Sequence, residues 1–140
     1  MIEEDYMIKD ILKDLLKNSY SPYSKYQVAC VIKAKDGKLF YGVNIENKSS
    51  KDGLCAEQVA ISGAVSSGYK KGDLDSIYIM GSGEKIIVPC FLCRQLLNEF
   101  FDRETTIYCY NNYKYEKEFK IKDLCPYDFN NDFLNDGKNI

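Results

Sequence analysis

Apolar residues recur every three to four positions near the start of the chain. Between Glu3 and Asn18, Ile8, Ile11, Leu12, Leu15 and Leu16 share one face with Lys and Asp between them, a spacing that predicts an amphipathic helix. Ser, Pro and Lys over 18–26 break it. Two short runs of branched, apolar and aromatic residues follow, QVACVIKA and KLFYGVNI, on either side of the turn dipeptide Asp36-Gly37, and predict a hairpin. After the polar loop IENKSSKDG, the small and apolar residues from Cys55 to Ser67 predict a packed, buried helix, with Gly63 tolerated where a neighbour comes close. Ile77–Met80 reads as a short strand, Phe91–Phe101 as a helix after Pro89, TTIYCY as a strand and EKEFKI as an edge strand. The tail from Tyr127 to Ile140, aromatic and then polar, is expected to pack on another subunit. The order helix, strand, strand, helix, strand, helix, strand, strand predicts one α/β domain over residues 1–140, with a mixed sheet and crossover helices.

Composition narrows the class. A chain of 140 residues with 45% hydrophobic and 29% charged residues is neither disordered nor membrane-embedded, and no run approaches 18 apolar residues. The first ten residues, MIEEDYMIKD, are acidic where a secretory leader would be basic, so a cytoplasmic location is expected. A net charge of -2, with Arg94 and Arg103 as the only arginines, disfavours a nucleic-acid or membrane partner and suits a small molecule.

Six cysteines and no histidine set the candidate chemistry. Cys30 and Cys109 lie in apolar strand-like runs and read as small buried hydrophobes. Cys90 and Cys93 form C-x-x-C after Pro89, which fits a redox pair at a helix start or half of a metal site. Without histidine, a zinc site built from nitrogen and sulfur ligands must be all sulfur. Cys55 also opens a helix, where free N–H groups favour thiolate. Three thiolates from two helix starts would fill three corners of a tetrahedron and leave one open, the arrangement of a catalytic zinc. Cys125 is the one further candidate, and as a fourth ligand it would make the site structural. The spacing Cys55-Ala56-Glu57, then Pro89-Cys90-x-x-Cys93, matches the pattern of zinc nucleobase deaminases, in which a glutamate that does not bind the metal moves protons.

Beyond that pattern, Ser21-Pro22-Tyr23-Ser24-Lys25-Tyr26, Asn44-Ile45-Glu46-Asn47, Pro89-Cys90-Phe91-Leu92-Cys93-Arg94-Gln95 and Leu124-Cys125-Pro126-Tyr127-Asp128-Phe129 occur in order, and with them the chain resembles the small homotetrameric cytidine deaminases over nearly its whole length. The resemblance implies a three-layer α-β-α sandwich around a mixed five-stranded sheet. It implies one Zn2+ per subunit on Cys55, Cys90 and Cys93, with Glu57 carrying protons in the release of ammonia from cytidine or 2'-deoxycytidine. By the same resemblance Asn44 and Glu46 hold the ribose, Tyr26 flanks the nucleoside, the Ala56 backbone reads the pyrimidine carbonyl, and Phe129 reaches a neighbouring subunit's pocket in a homotetramer. Several positions depart from the family pattern. Gln58 replaces an arginine beside the ligands and is expected to donate to sulfur without adding charge, leaving Arg94 as a possible source of compensation. Phe91 stands for a glycine, Val28-Ala29-Cys30 for V-G-A, and Leu124-Cys125-Pro126 for L-L-P. These changes admit a second substrate class, an aminonucleoside antibiotic of the blasticidin S type. A catalytically silent zinc-stabilised oligomer or binding module is the alternative outside enzymes.

Overall fold

The computed structural model describes residues 2–112 and 115–138. Its elements are α1 (Ile2–Leu16), β1 (Val28–Ala34), β2 (Leu39–Val43), α2 (Ala56–Ser66), β3 (Leu74–Gly81), α3 (Phe91–Phe100), β4 (Thr106–Asn111), β5 (Glu116–Lys120), α4 (Ile121–Leu124) and α5 (Asn131–Lys138). The five strands form one mixed sheet in the order β2-β1-β3-β4-β5, antiparallel except for the parallel pair β3–β4.

Alternation along the central strands builds a core on each face of the sheet, because successive side chains point to opposite sides. Cys30, Ile32, Ile77, Ile79, Ile107 and Cys109 pack toward α2 and α3, through residues such as Ala60, Ala64 and Leu97. Ala29, Val31, Tyr78, Met80 and Tyr110 face the opposite way and are covered by Ile8, Leu12 and Leu16 of α1. The result is the three-layer arrangement expected from the sequence.

β2 and β3 both run antiparallel to β1 and are therefore parallel to each other. Two crossovers follow, β2-α2-β3 and β3-α3-β4, and each returns its helix antiparallel to its strands. The starts of α2 and α3 thus lie at the carboxyl ends of the strands, where open α/β sheets form their clefts. The helix and sheet approach tightly at this edge. A Cβ added at Gly42 would fall 2.1 Å from the Ala56 carbonyl oxygen, so β2 needs glycine there.

Some expected details differ. Gly63 faces open space rather than a close neighbour. β3 begins at Leu74 instead of Ile77, because Leu74 and Ser76 are buried while Asp75 points to solvent. The polar loop after Asn44 is tied down by bridges from Ile45 to Tyr20 and Leu54 and by a 3-10 turn at Ser50–Asp52. Two helices absent from the expected order follow β5, α4 ahead of the tail and α5 within it, and the tail's last two residues lie outside the described ones. Asn130, just ahead of α5, accepts the Asp132 N–H at 2.9 Å through its side-chain oxygen. No helix among the described residues is long and apolar enough to cross a membrane.

Candidate active site

Cys55 caps the start of α2 and Cys90 the start of α3, with Cys93 one turn further along α3. Their three sulfur atoms lie within 4.8 Å of one another, and Cys55 Sγ is 3.9 Å from Cys90 Sγ. For Zn–S bonds of about 2.3 Å, the sulfur–sulfur edge of a tetrahedron is about 3.8 Å, so the donor set fits one zinc ion. Cys93 is fully buried, Cys55 half-buried and Cys90 exposed, leaving the cluster closed on the core side and open toward solvent. Cys125 is not in this group; its carbonyl accepts from Arg103 Nη2 at 3.0 Å. All six cysteines are free thiols.

Beside the thiols is a cavity of about 660 Å³, lined among others by Asn44, Glu46, Leu54, Ala56, Glu57 and Cys90. Glu57, in the first turn of α2, is 4% exposed. Burial pushes its carboxyl above the usual range, only partly offset by a backbone hydrogen bond and the Cys93 thiol. A carboxyl raised in this way holds a proton more readily than an exposed one. The thiols respond to one another: the hydrogen bond with Cys93 draws Cys55 down to about 7, while Cys93 is pushed up, first by that same bond and then by burial. Cys30 and Cys109, read as core residues, are buried and held protonated mainly by burial, with the Glu57 charge adding to it; Cys109 is raised to about 12.

The expected sugar-binding pair is present with its own support. Asn44 donates Nδ2–H to the Tyr26 carbonyl at 2.8 Å and accepts the Val28 N–H at 2.9 Å and the Ser19 hydroxyl, which leaves one Nδ2–H for a ligand. Glu46 accepts the N–H groups of Tyr23 and Ser24 at 3.0 and 3.1 Å and the Ser24 hydroxyl. These hydrogen bonds, the Ser24 hydroxyl first, hold its carboxyl below the ordinary value. Lys25, in the left-handed region at φ 62°, closes the turn by donating its N–H to the Ser21 carbonyl. The support from Ser19, Tyr23 and Ser24 could not be read from spacing, since it joins segments about twenty residues apart.

Four other candidate positions have their own surroundings in the chain. The Tyr26 ring does not line the cavity; it lies over Gly81 and Gly83, where a Cβ on Gly81 would fall 2.2 Å from its hydroxyl. The Gln58 side chain accepts instead of donating: its Oε1 takes the Cys55 N–H at 2.8 Å, while the Gln58 backbone N–H donates to the Cys55 side chain, a reciprocal cap of the helix. Arg94 donates Nε–H to the Pro89 carbonyl at 2.7 Å and Nη1–H to the Leu124 carbonyl at 3.3 Å, and its guanidinium stacks over Phe91 at 4.4 Å. It braces the turn ahead of Cys90, and the sulfur whose proton affinity it lowers is Cys109. Phe129 lies away from its own chain's cavity and is 59% exposed. Ala56, fully buried, is among the residues that line the cavity.

Three thiols at two helix starts, open on one side to a cavity that holds a buried carboxylate, define the class of metal-assisted hydrolases acting on a small molecule. The chain belongs to the family described as the cytidine and deoxycytidylate deaminase zinc-binding region, whose model matches residues 2–109, and it is a deaminase. It is 40% identical over 120 residues to a cytidine deaminase of Mycoplasma genitalium, covering 86% of this chain and 90% of that protein. Among solved structures, a cytidine deaminase from Burkholderia pseudomallei superposes with a TM-score of 0.84 at 30% identity, covering 89% of this chain and 98% of the other. A blasticidin-S deaminase of Bacillus cereus is 28% identical over 106 residues, 70% of this chain and 74% of its own.

Proposed function

We propose that this protein hydrolyses cytidine and 2'-deoxycytidine to uridine and 2'-deoxyuridine with release of ammonia, as a pyrimidine-salvage enzyme of the cytoplasm. The observation that carries the reading is the buried Glu57 at the wall of a nucleoside-sized cavity, next to three thiols spaced for one metal ion. Cys55, Cys90 and Cys93 would hold one zinc per chain, which when bound supplies the Lewis acidity that makes water a nucleophile near neutral pH.

The remaining chemistry falls to the chain. Glu57 takes the proton that water gives up and delivers it to pyrimidine N3, which makes C4 electrophilic. After the oxygen adds to C4, the same carboxylate takes the proton left on that oxygen and passes it to the amino group, and the C4–N bond breaks to give ammonia as C4=O forms. The free Nδ2–H of Asn44 and the pre-set carboxylate of Glu46 bind ribose hydroxyls, and the Ala56 backbone reads the base carbonyl. Phe129 packs on the base bound by a neighbouring subunit in a homotetramer; exposed Phe91, Leu92 and Tyr127 are suited to burial between such subunits.

Phe91 in place of the family's glycine keeps one second reading in view, a bulkier cytosine nucleoside. The test is a panel of cytidine, 2'-deoxycytidine and blasticidin S, with ammonia measured for each. The expected order of kcat/KM places both plain nucleosides above the antibiotic. The reverse order would reassign the substrate, and no ammonia from any of them with zinc bound would favour the silent oligomer.

A further inference from the structure

We propose that Gln95 is a positioning residue that fixes Phe129 in the pose needed by the neighbouring pocket; this rests on the shared-pocket reading of Phe129 above. The Gln95 side chain donates Nε2–H to the Phe129 carbonyl at 2.9 Å and accepts the Phe129 N–H at 3.2 Å. Both backbone groups of one residue are thus held by one amide, as a paired strand would hold them. Only a side chain with a donor and an acceptor at that reach can do this.

The neighbouring bonds serve the same segment. One turn along α3, Asn98 donates Nδ2–H to Asp128 Oδ2 at 2.8 Å, and Arg103 reaches both Asn98 Oδ1 at 2.7 Å and Asp128 at 3.4 Å. Beyond the backbone clamp, the Phe129 ring stacks on Phe133, with centroids 5.4 Å apart and planes 12° from parallel. One ring face is covered and the other is left for a partner. Gln95 also lies two residues after Cys93, so the clamp ties the aromatic to the helix that carries two of the candidate metal ligands. An aromatic held this way meets its ligand without an ordering cost, which appears as a lower KM.

The test is a double-mutant cycle on the zinc-loaded protein with cytidine, comparing Gln95→Ala, Phe129→Ala and the double variant. Two hydrogen bonds of ordinary net worth predict a rise in KM of about tenfold for Gln95→Ala, with kcat, zinc content and sedimentation unchanged. The double variant should be no worse than Phe129→Ala alone, because Gln95 acts through that ring. Gln95→Glu, which keeps the acceptor and loses the donor, should fall between, and it supplies the answer if the alanine variant does not fold. A raised KM in Phe129→Ala with none in the Gln95 variants, or effects that multiply in the double variant, would overturn the positioning role. An unchanged KM in Phe129→Ala would instead overturn the shared-pocket reading, and the role of Gln95 with it.

Discussion

Replacing Glu57 by Gln is expected to lower kcat for cytidine toward the upper end of the ~10²–10⁴-fold range of general acid–base catalysis, since one carboxyl serves several proton transfers. Gln matches its size and keeps a hydrogen-bonding head in the buried site, so the fold and the three thiols should be undisturbed. The check is steady-state kinetics beside metal analysis of the same preparation. Near-normal turnover with zinc intact would remove Glu57 from the mechanism.

An effect as large is expected from Cys93→Ala. Cys93 is the fully buried member of the trio, where water cannot readily replace the lost sulfur. Partners that merely orient ligands cost ~10–100-fold in metal affinity when mutated, and a ligand itself should cost more. The purified variant should lose its zinc on dialysis and its activity in proportion. Its circular dichroism should persist, because the cores on both faces of the sheet are built from Ile, Leu, Val and Tyr side chains that do not depend on the metal. Full zinc content with full activity would contradict the ligand assignment.

Most of the sheet and its helices were legible because each carries its period in the sequence. Ile8, Leu12 and Leu16 announce α1, and the near-continuous apolar run through Val28–Ala34 announces a strand buried on both faces. The thiol trio was legible for another reason: a helix start places its first residues, so Cys55, Cys90 and Cys93 were constrained once α2 and α3 were placed. The rest depends on tertiary contact. Tyr26 could not be seen to lie over Gly81 and Gly83, since nothing local joins residue 26 to residue 81. Gln58 read as a donor to sulfur, but the nearest unpaired group at a helix start is a backbone N–H, and its carbonyl oxygen takes that. The clamp on Phe129 spans 34 residues, and α4 and α5 are too short and polar for periodicity to reveal.

The central claim is that Cys55, Cys90 and Cys93 hold a metal whose remaining position is open beside Glu57. Zinc-edge X-ray absorption on the purified protein tests it most directly. The account predicts three sulfur neighbours at about 2.3 Å and one oxygen. Four sulfur neighbours would mean a closed structural site and would contradict it.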